Sequence, residues 1–310
     1  MNPELTNFTK SIDTAFLFII GVATLFLVAL TIVLIVFIYK YNKKRNPVPS
    51  QIKGNNFLEV LWTVIPVILV LIMFYLGWKG WDPAHEKAPN DAMIVKTTAR
   101  MWSWGFQYPN GRRTDTLYLP VGKPVKLQLE AKDVIHSLFI PAFKLKQDLV
   151  PGKSAVMWFI PERVGTYDLF CSQYCGLRHS YMITSVVAMN DSDFHKWYAE
   201  VKTQKTAVSE QPGLAGLEII KKNGCLACHS LDGTKIVGPT YKGLYGHKVL
   251  VTTNDKDREI VADDAYIKRS IYEPNADIVK GYAKNMMQSY KDMISEQEIK
   301  QIIDYMKTLK

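Results

Sequence analysis

Cys171, Cys175, His179 and Met182 fall within the twelve residues CSQYCGLRHSYM, which places two thiols, an imidazole and a thioether close together along the chain. A second cysteine pair stands in CLACH, residues 225–229. Thiolate, imidazole and thioether donors together suit copper better than calcium, magnesium or structural zinc, whose fourth ligand is not methionine. His136, on an earlier strand-like segment, adds a second imidazole. The alternative for Cys171 and Cys175 is a plain disulfide, which an extracytoplasmic location permits. A mononuclear blue-copper site uses one cysteine, so the spare thiolate implies a second metal ion sharing both sulfurs.

CLACH is a C-x-x-C-H pattern, in which Cys225 and Cys228 form thioethers to a heme and His229 ligates its iron. A redox C-x-x-C or half of a zinc site uses the same letters. Neither a second C-x-x-C nor a βαβ pattern accompanies it.

These residues need elements to hold them. Residues 14–39 are 26 positions without a charge and residues 60–78 are 19 more, each long enough to cross about 30 Å of hydrocarbon as a helix. The first run ends in KYNKKR rather than small residues, which argues against a cleaved signal peptide. Lys40, Lys43, Lys44, Arg45 and Lys53 lie between the spans, so the positive-inside rule puts that loop in the cytoplasm. Both termini and everything after Trp81 then face outward. Residues 1–81 form the transmembrane hairpin in this division.

Within a domain bounded at residues 82–202, residues from about 92 to 189 alternate short β-branched and aromatic runs with turn signals at PNG, VGKP, PGK and VGT, which predicts an antiparallel sandwich or barrel. A helix begins with Asp191 or Ser192 as its N-cap. Residues 203–215 read as a linker and residues 216–310 as helical, with a helix ending near Gly224 and another opened by a Ser295/Glu298 capping box. Ile299, Ile302, Ile303, Met306 and Leu309 share a face of that last helix.

The net charge of +9 divides into +4 over residues 1–81, +3 over 82–202 and +2 over 216–310. No segment is a strongly basic module, which speaks against nucleic-acid binding.

The motif C-S-x-x-C-x-x-x-H-x-x-M, with an upstream D-V-x-H, resembles the dinuclear copper A site of the cytochrome c oxidase subunit II family. EVLWTVIP (59–66), MWSWGFQYP (101–109) and DVIHSLFIPAFKLKQDLVPG (133–152) resemble further signatures of that family in the same order. The resemblance implies a two-helix transmembrane hairpin, a cupredoxin-like antiparallel β-sandwich and, for residues 216–310, an all-α class I cytochrome c domain. It implies that Cys171 and Cys175 bridge two coppers, His136 and His179 cap one each, Met182 is a weak axial ligand and the Gln173 carbonyl completes the set. Glutamate usually stands where this chain has Gln173, and that carboxylate helps to hold a magnesium ion in the family, so the magnesium is left open.

Read from the residues alone, Trp102 and Trp104 are half-buried strand aromatics and Glu59 is a first-turn helix carboxylate. The resemblance gives Trp102 the role of an exposed electron-entry tryptophan and Glu59 a place at the mouth of a proton path. Asp133 and Asp148 also match family positions, and alone read as loop charges. Beyond CLACH, GPTYKGLYG (238–246) resembles the cytochrome c loop in which the carbonyl of Pro239 orients His229. The axial methionine segment appears as Met287-Gln-Ser-Tyr290, naming Met287 as sixth ligand with Met286 as its rival; Met286, Met293 and Met306 also read as core methionines. His85, His195 and His247 have no partners at ligand spacing.

The function implied is electron entry to a respiratory oxidase: heme c, then copper A, then heme a in a subunit I that reduces dioxygen while protons are translocated. Implied partners are subunits I and III, with a cytochrome c or a quinol-oxidising complex as donor, at a bacterial inner membrane with both cofactor domains outside. The rival functions are a membrane-anchored copper chaperone with a cytochrome domain, a quinol oxidase subunit II and a nitrous oxide reductase.

Overall fold

The computed structural model describes residues 5–48, 51, 53–200 and 212–309. The chain divides into two units, Met1–Pro89 and Asn90–Lys310.

The first unit is a pair of helices, α1 (Thr9–Lys40) and α2 (Asn56–His85). Both contain the expected apolar runs and extend beyond them. The side chain of Asn55 caps α2 by accepting from the backbone N–H groups of Phe57 and Leu58 at 3.0 and 3.3 Å. Pro66 and Pro83 both lie inside α2. Gly80 is buried against the backbone of Ser11, while the apolar side chains along both helices point outward without protein cover. That pattern suits a lipid environment rather than a soluble core.

The second unit begins with a β-sandwich. One sheet has the strand order β3 (Arg113–Thr114), β2 (Ser103–Gln107), β1 (Met93–Arg100), β5 (Val125–Ala131), β8 (Ala155–Phe159). The other has β4 (Leu117–Pro120), β10 (Ile183–Met189), β9 (Gly165–Cys171), β6 (His136–Ile140), β7 (Leu145–Leu149). Alternation puts Val95, Leu127, Phe159, Leu138, Leu169 and Val186 into the shared core, all fully buried. Most neighbours are antiparallel, but β1 pairs with β5 and β4 with β10 in parallel, so both sheets are mixed rather than antiparallel throughout. Gly165 opens β9 instead of making a turn.

α3 (Asp191–Ala199) closes the sandwich domain. Its N-cap is Asn190, one residue before the expected Asp191, and carries no side-chain cap; Asp191 and Asp193 instead occupy the first turn, where the helix dipole favours them. Most of the expected linker, residues 203–215, lies outside the described residues.

The remaining elements are α4 (Pro212–Lys222), the hairpin β11 (Lys248–Thr253) and β12 (Lys256–Val261), α5 (Asp264–Tyr272), β13 (Ile278–Val279) and α6 (Glu296–Met306). α4 and α6 pack together through Ile219, Ile220, Ile299 and Ile303. The capping box of α6 is complete: Ser295 Oγ accepts from the Glu298 N–H at 3.3 Å, and Glu298 accepts from the Ser295 N–H at 2.9 Å. The three-stranded sheet β12-β11-β13 was not expected in a region read as helical.

Within this second unit the helical part meets the sandwich directly. Gly224, left-handed at φ 69°, ends the α4 segment, and a Cβ there would lie 2.4 Å from Ser103 Oγ. Only glycine allows both the turn and this approach.

Candidate functional site

Strand pairing brings His136 to Cys171. β6 and β9 lie side by side with Leu138 opposite Cys171, so the start of one strand meets the end of the other. The loop from Cys171 to Met182 closes on itself, since the Cys171 N–H donates to the Met182 carbonyl at 3.1 Å and the His179 N–H to the Gly176 carbonyl at 3.1 Å. The loop is also fixed to β6 by the Ser172 N–H on the Ser137 carbonyl at 3.0 Å.

All six expected donors converge there. Cys171 Sγ and Cys175 Sγ are 3.8 Å apart and unbonded, far beyond the ~2.05 Å of a disulfide. His136 Nδ1 lies 3.8 Å from Cys171 Sγ, and His179 Nδ1 lies 3.5 Å from Cys175 Sγ. Met182 Sδ is 3.9 Å from Cys175 Sγ, and the Gln173 carbonyl oxygen is 3.3 Å from Cys171 Sγ. The ligand atoms of His136, Cys171 and Cys175 all lie within 4.8 Å of one another. Two sulfurs flanked symmetrically by imidazoles, with a thioether and a carbonyl at the ends, form a donor set that fits copper.

Electrostatics prepares the two thiols unequally. Burial opposes ionisation of Cys171, but hydrogen bonds from His136 and the neighbouring backbone bring it down to about 6. Burial and then the adjacent Cys171 thiolate push Cys175 up to about 12. His136 is fully buried, which disfavours its charge, yet Asp133 and Cys171 raise it to about 9. The Nε2 of His136 pairs with Asp133 Oδ1 at 2.7 Å, so Nδ1 is the nitrogen turned to the sulfurs.

Asp133 is no solvated loop charge. Its side chain is 7% exposed and also accepts from the backbone N–H groups of Met101 at 2.6 Å and Val134 at 2.7 Å. Burial raises its pKa, and those three bonds outweigh it and leave the carboxyl below its usual range. Asp148, in contrast, is a half-exposed charge paired with Lys146.

Trp102 is buried at 3% exposure, which corrects the expectation of an exposed ring. Its Nε1 donates to the Cys175 carbonyl at 3.0 Å, tying the indole to the donor loop. Trp104, also buried, donates to the Met182 carbonyl at 3.4 Å and meets the His136 ring edge-on at 6.4 Å. Reading Trp104 as a mere strand aromatic missed this, and the alternation of Trp102 and Trp104 across a strand pair was the available signal.

The second centre lies in the helical part. Cys225 and Cys228 are unpaired, on and just after a short turn (Cys225–Ala227). His229 Nδ1 donates to the Pro239 carbonyl at 2.6 Å, as expected, leaving Nε2 as the free ring nitrogen. Its ring stacks on Tyr241 at 4.8 Å and 10°. Burial lowers its pKa and keeps it neutral, as a metal ligand must be, and burial also raises Cys225 and Cys228 to about 11. Cys225, Cys228, His229, Pro239, Met286 and Met287 all line one cleft of about 1230 Å³, its open mouth included. A largely apolar cleft with two thiols and a neutral imidazole in its wall fits a covalently held heme. Met286 and Met287 both face it, so the geometry brings both sulfur candidates to the site.

Glu59 lies in the first turn of α2, exposed, in the separate helical unit. His85 bonds the Trp81 carbonyl, His195 lies near Asp191 and His247 near the Tyr245 carbonyl; none joins a ligand cluster among the described residues.

Residues 3–76 match the family profile of the cytochrome c oxidase subunit II transmembrane domain, residues 112–189 that of its periplasmic domain and residues 214–310 that of cytochrome c. Cytochrome c oxidase subunit 2 of Alkalihalophilus pseudofirmus is 29% identical over 309 residues, covering 94% of this chain and 86% of the relative. That of Cereibacter sphaeroides is 28% identical over 231 residues, covering 62% and 75%. The crystal structure of the periplasmic domain of subunit II of cytochrome oxidase from Bradyrhizobium japonicum is 27% identical at a TM-score of 0.36, covering 38% of this chain and 99% of that one. With membrane, periplasmic and cytochrome profiles following one another, and a cytochrome c oxidase subunit 2 aligning over 94% of the chain, this protein carries the transmembrane and periplasmic domains of cytochrome c oxidase subunit II followed by a cytochrome c domain.

Proposed function

We propose that the chain relays single electrons from a heme c in residues 216–310 to a dinuclear copper centre in residues 82–202, which passes them to the heme of subunit I for dioxygen reduction and proton translocation. Residues 1–81 anchor it, with the Lys-rich loop in the cytoplasm and both cofactor domains outside. The observation that carries this is the convergence of six copper donors from two strands and one loop, within 3.9 Å of one another in successive pairs.

Bound there, copper and heme each supply a one-electron couple. The protein supplies the rest. Cys171 and Cys175 would share two coppers, with His136, His179, Met182 and the Gln173 carbonyl as terminal ligands. Strand pairing and the closed loop hold these donors in place before metal arrives, so little rearranges when the charge changes. His229 and Met287, or Met286 in its place, would hold the heme iron, with Cys225 and Cys228 as thioether anchors. Trp102 bridges the gap: Met101 lines the heme cleft, and Trp102 donates to the Cys175 carbonyl. Its burial fits an electron source that stays docked rather than one arriving from solution.

Val134, Ile135, Tyr174, Leu177, Tyr181 and Ile183 are exposed around the copper donors. Such an apolar patch supports docking on subunit I directly over the copper. Subunit III and a donor, either a soluble cytochrome c or a quinol-oxidising complex, complete the proposed assembly. Magnesium at the subunit I face would have to bind without a carboxylate at position 173, and Glu59 would stand at a proton path. A copper-delivering chaperone needs exchangeable ligands, and the full burial of His136 with Met182 at 1% exposure opposes that role.

The test is copper and heme analysis of the purified full chain with an electron paramagnetic resonance spectrum of its oxidised form. Two coppers sharing one spin equally, and one covalent heme, are expected. One copper or none, with Cys171 and Cys175 joined as a disulfide, would overturn the copper role.

A further inference from the structure

Arg100 ends β1 of the sandwich, yet its side chain belongs to the heme cleft. It is 9% exposed and lines the cleft with Cys225 and Cys228. Its Nη2 donates to the Met293 sulfur at 2.8 Å, and its guanidinium lies 5.3 Å from the centroid of the Tyr290 ring. Both partners are neutral. Among the described residues no carboxylate pairs with it, whereas a buried guanidinium is ordinarily neutralised. Backbone geometry fixes it there: Arg100 pairs with Ser103 across the β1/β2 turn, and Asp133 holds the next N–H, that of Met101.

We propose that Arg100, contributed by the copper domain, tunes the heme of the cytochrome domain by setting an uncompensated positive charge against the edge of the ring that Cys225 and Cys228 anchor. The proposal rests on the reading of that cleft as a heme c site. A heme carries its carboxylates on the edge opposite its thioethers, so they do not neutralise a charge beside Cys225. Reduction removes one positive charge from the iron, so a cation nearby favours the reduced form. At a separation of roughly 10 Å and an effective dielectric near 20, the bias is about tenfold in a one-electron equilibrium. Cys225 feels this charge: burial raises its thiol strongly, and Arg100 is among the groups that oppose the rise.

The device has a functional consequence through linkage. Because the charge comes from the other domain, the reduced cytochrome domain docks on the sandwich more tightly than the oxidised one by the same factor. Docking is then strongest when an electron is ready to leave.

The experiment is an anaerobic spectroelectrochemical titration of the heme in the full chain. Arg100→Met keeps much of the packing volume and removes the charge; its reduction equilibrium is expected to move about tenfold towards the oxidised form, ~59 mV for one electron. Arg100→Lys, which keeps the charge, and Met293→Leu, which removes only the thioether contact, are expected to stay within about twofold of the parent. If Arg100→Met does not accumulate, Arg100→Gln carries the same test. Parental potential in the charge-free variant, with one covalent heme bound, overturns the proposal; so does a fall in Arg100→Lys equal to that in Arg100→Met, which would mean shape rather than charge. A parent chain that holds no covalent heme would instead overturn the heme reading itself.

Discussion

Asp133 Oδ1 accepts from His136 Nε2 at 2.7 Å, while Oδ2 of the same carboxylate accepts from the Met101 N–H at 2.6 Å. One side chain thus orients His136, a proposed copper donor, and pins the backbone leading into Trp102. Asp133→Ala frees the His136 ring, and copper affinity is expected to drop 10–100-fold in a chelator competition, the usual cost of losing such a partner. Asp133→Asn keeps an acceptor for Nε2 but sets an NH₂ group against the Met101 N–H. Its loss should fall between those of the parent and the alanine variant. Parental affinity in Asp133→Ala would remove Asp133 from the site.

Gly238 lies under the ring of His229, the proposed heme ligand. A Cβ at this position would sit 2.6 Å from His229 Cε1, and the ring cannot yield, because Pro239 holds its Nδ1 and Tyr241 stacks on its face. Gly238→Ala is therefore expected to reduce covalent heme per chain, read from visible absorbance, and to destabilise the cytochrome domain by about 2 kcal/mol through overpacking. Normal heme content together with an unchanged Tm would contradict this.

What was legible in the sequence was whatever folds locally. CSQYCGLRHSYM carries four of the five donor side chains on one self-closing loop, and the Ser295/Glu298 capping box needs only four residues, so both were readable from spacing. What needed the third dimension was not. Alternation in β1 and β5 is the same whether strands run parallel or antiparallel, so the mixed sheets left no mark. Asp133 and Arg100 are ordinary charges until the fold shows what each faces. The hairpin β11/β12 has a weaker signal: Asn254 and Asp255, at φ 49° and 62°, form a two-residue turn after the β-branched run VLVTT, but the charged KDRE that follows does not read as a strand.

The capping box offers a clean stability test, since neither Ser295 nor Glu298 lines the heme cleft. Ser295→Ala removes the acceptor for the Glu298 N–H and leaves α6 without its N-cap; a loss of about 1 kcal/mol in chemical unfolding of the cytochrome domain is expected. Glycine at the same position should cost only a few tenths, because it keeps the backbone geometry of a cap. Equal losses in both variants would show that the side-chain bond is not what matters.

Acid sensitivity of the cytochrome domain should centre on Asp277. Its side chain is 4% exposed and meets Arg258 Nη2 at 2.9 Å and Arg269 Nη1 at 3.1 Å, with the Thr253 hydroxyl also donating. Burial opposes its charge, but Thr253 and the two arginines outweigh it and hold the carboxyl below its ordinary value. A depressed folded-state pKa means that the unfolded chain binds the proton first, so this stabilisation is fully present above the unfolded value, near pH 4, and is lost as pH falls through the lower folded one. Asp277→Asn should cost about 2 kcal/mol at neutral pH, less than a fully buried pair because both arginines are about half exposed to water. The same variant should flatten the fall in stability below pH 4, so parent and variant converge in acid. Denaturant unfolding at pH 7 and at pH 3 measures both, and a stability gap that stays constant between the two would show that the Asp277 carboxylate does not stabilise the domain through its charge.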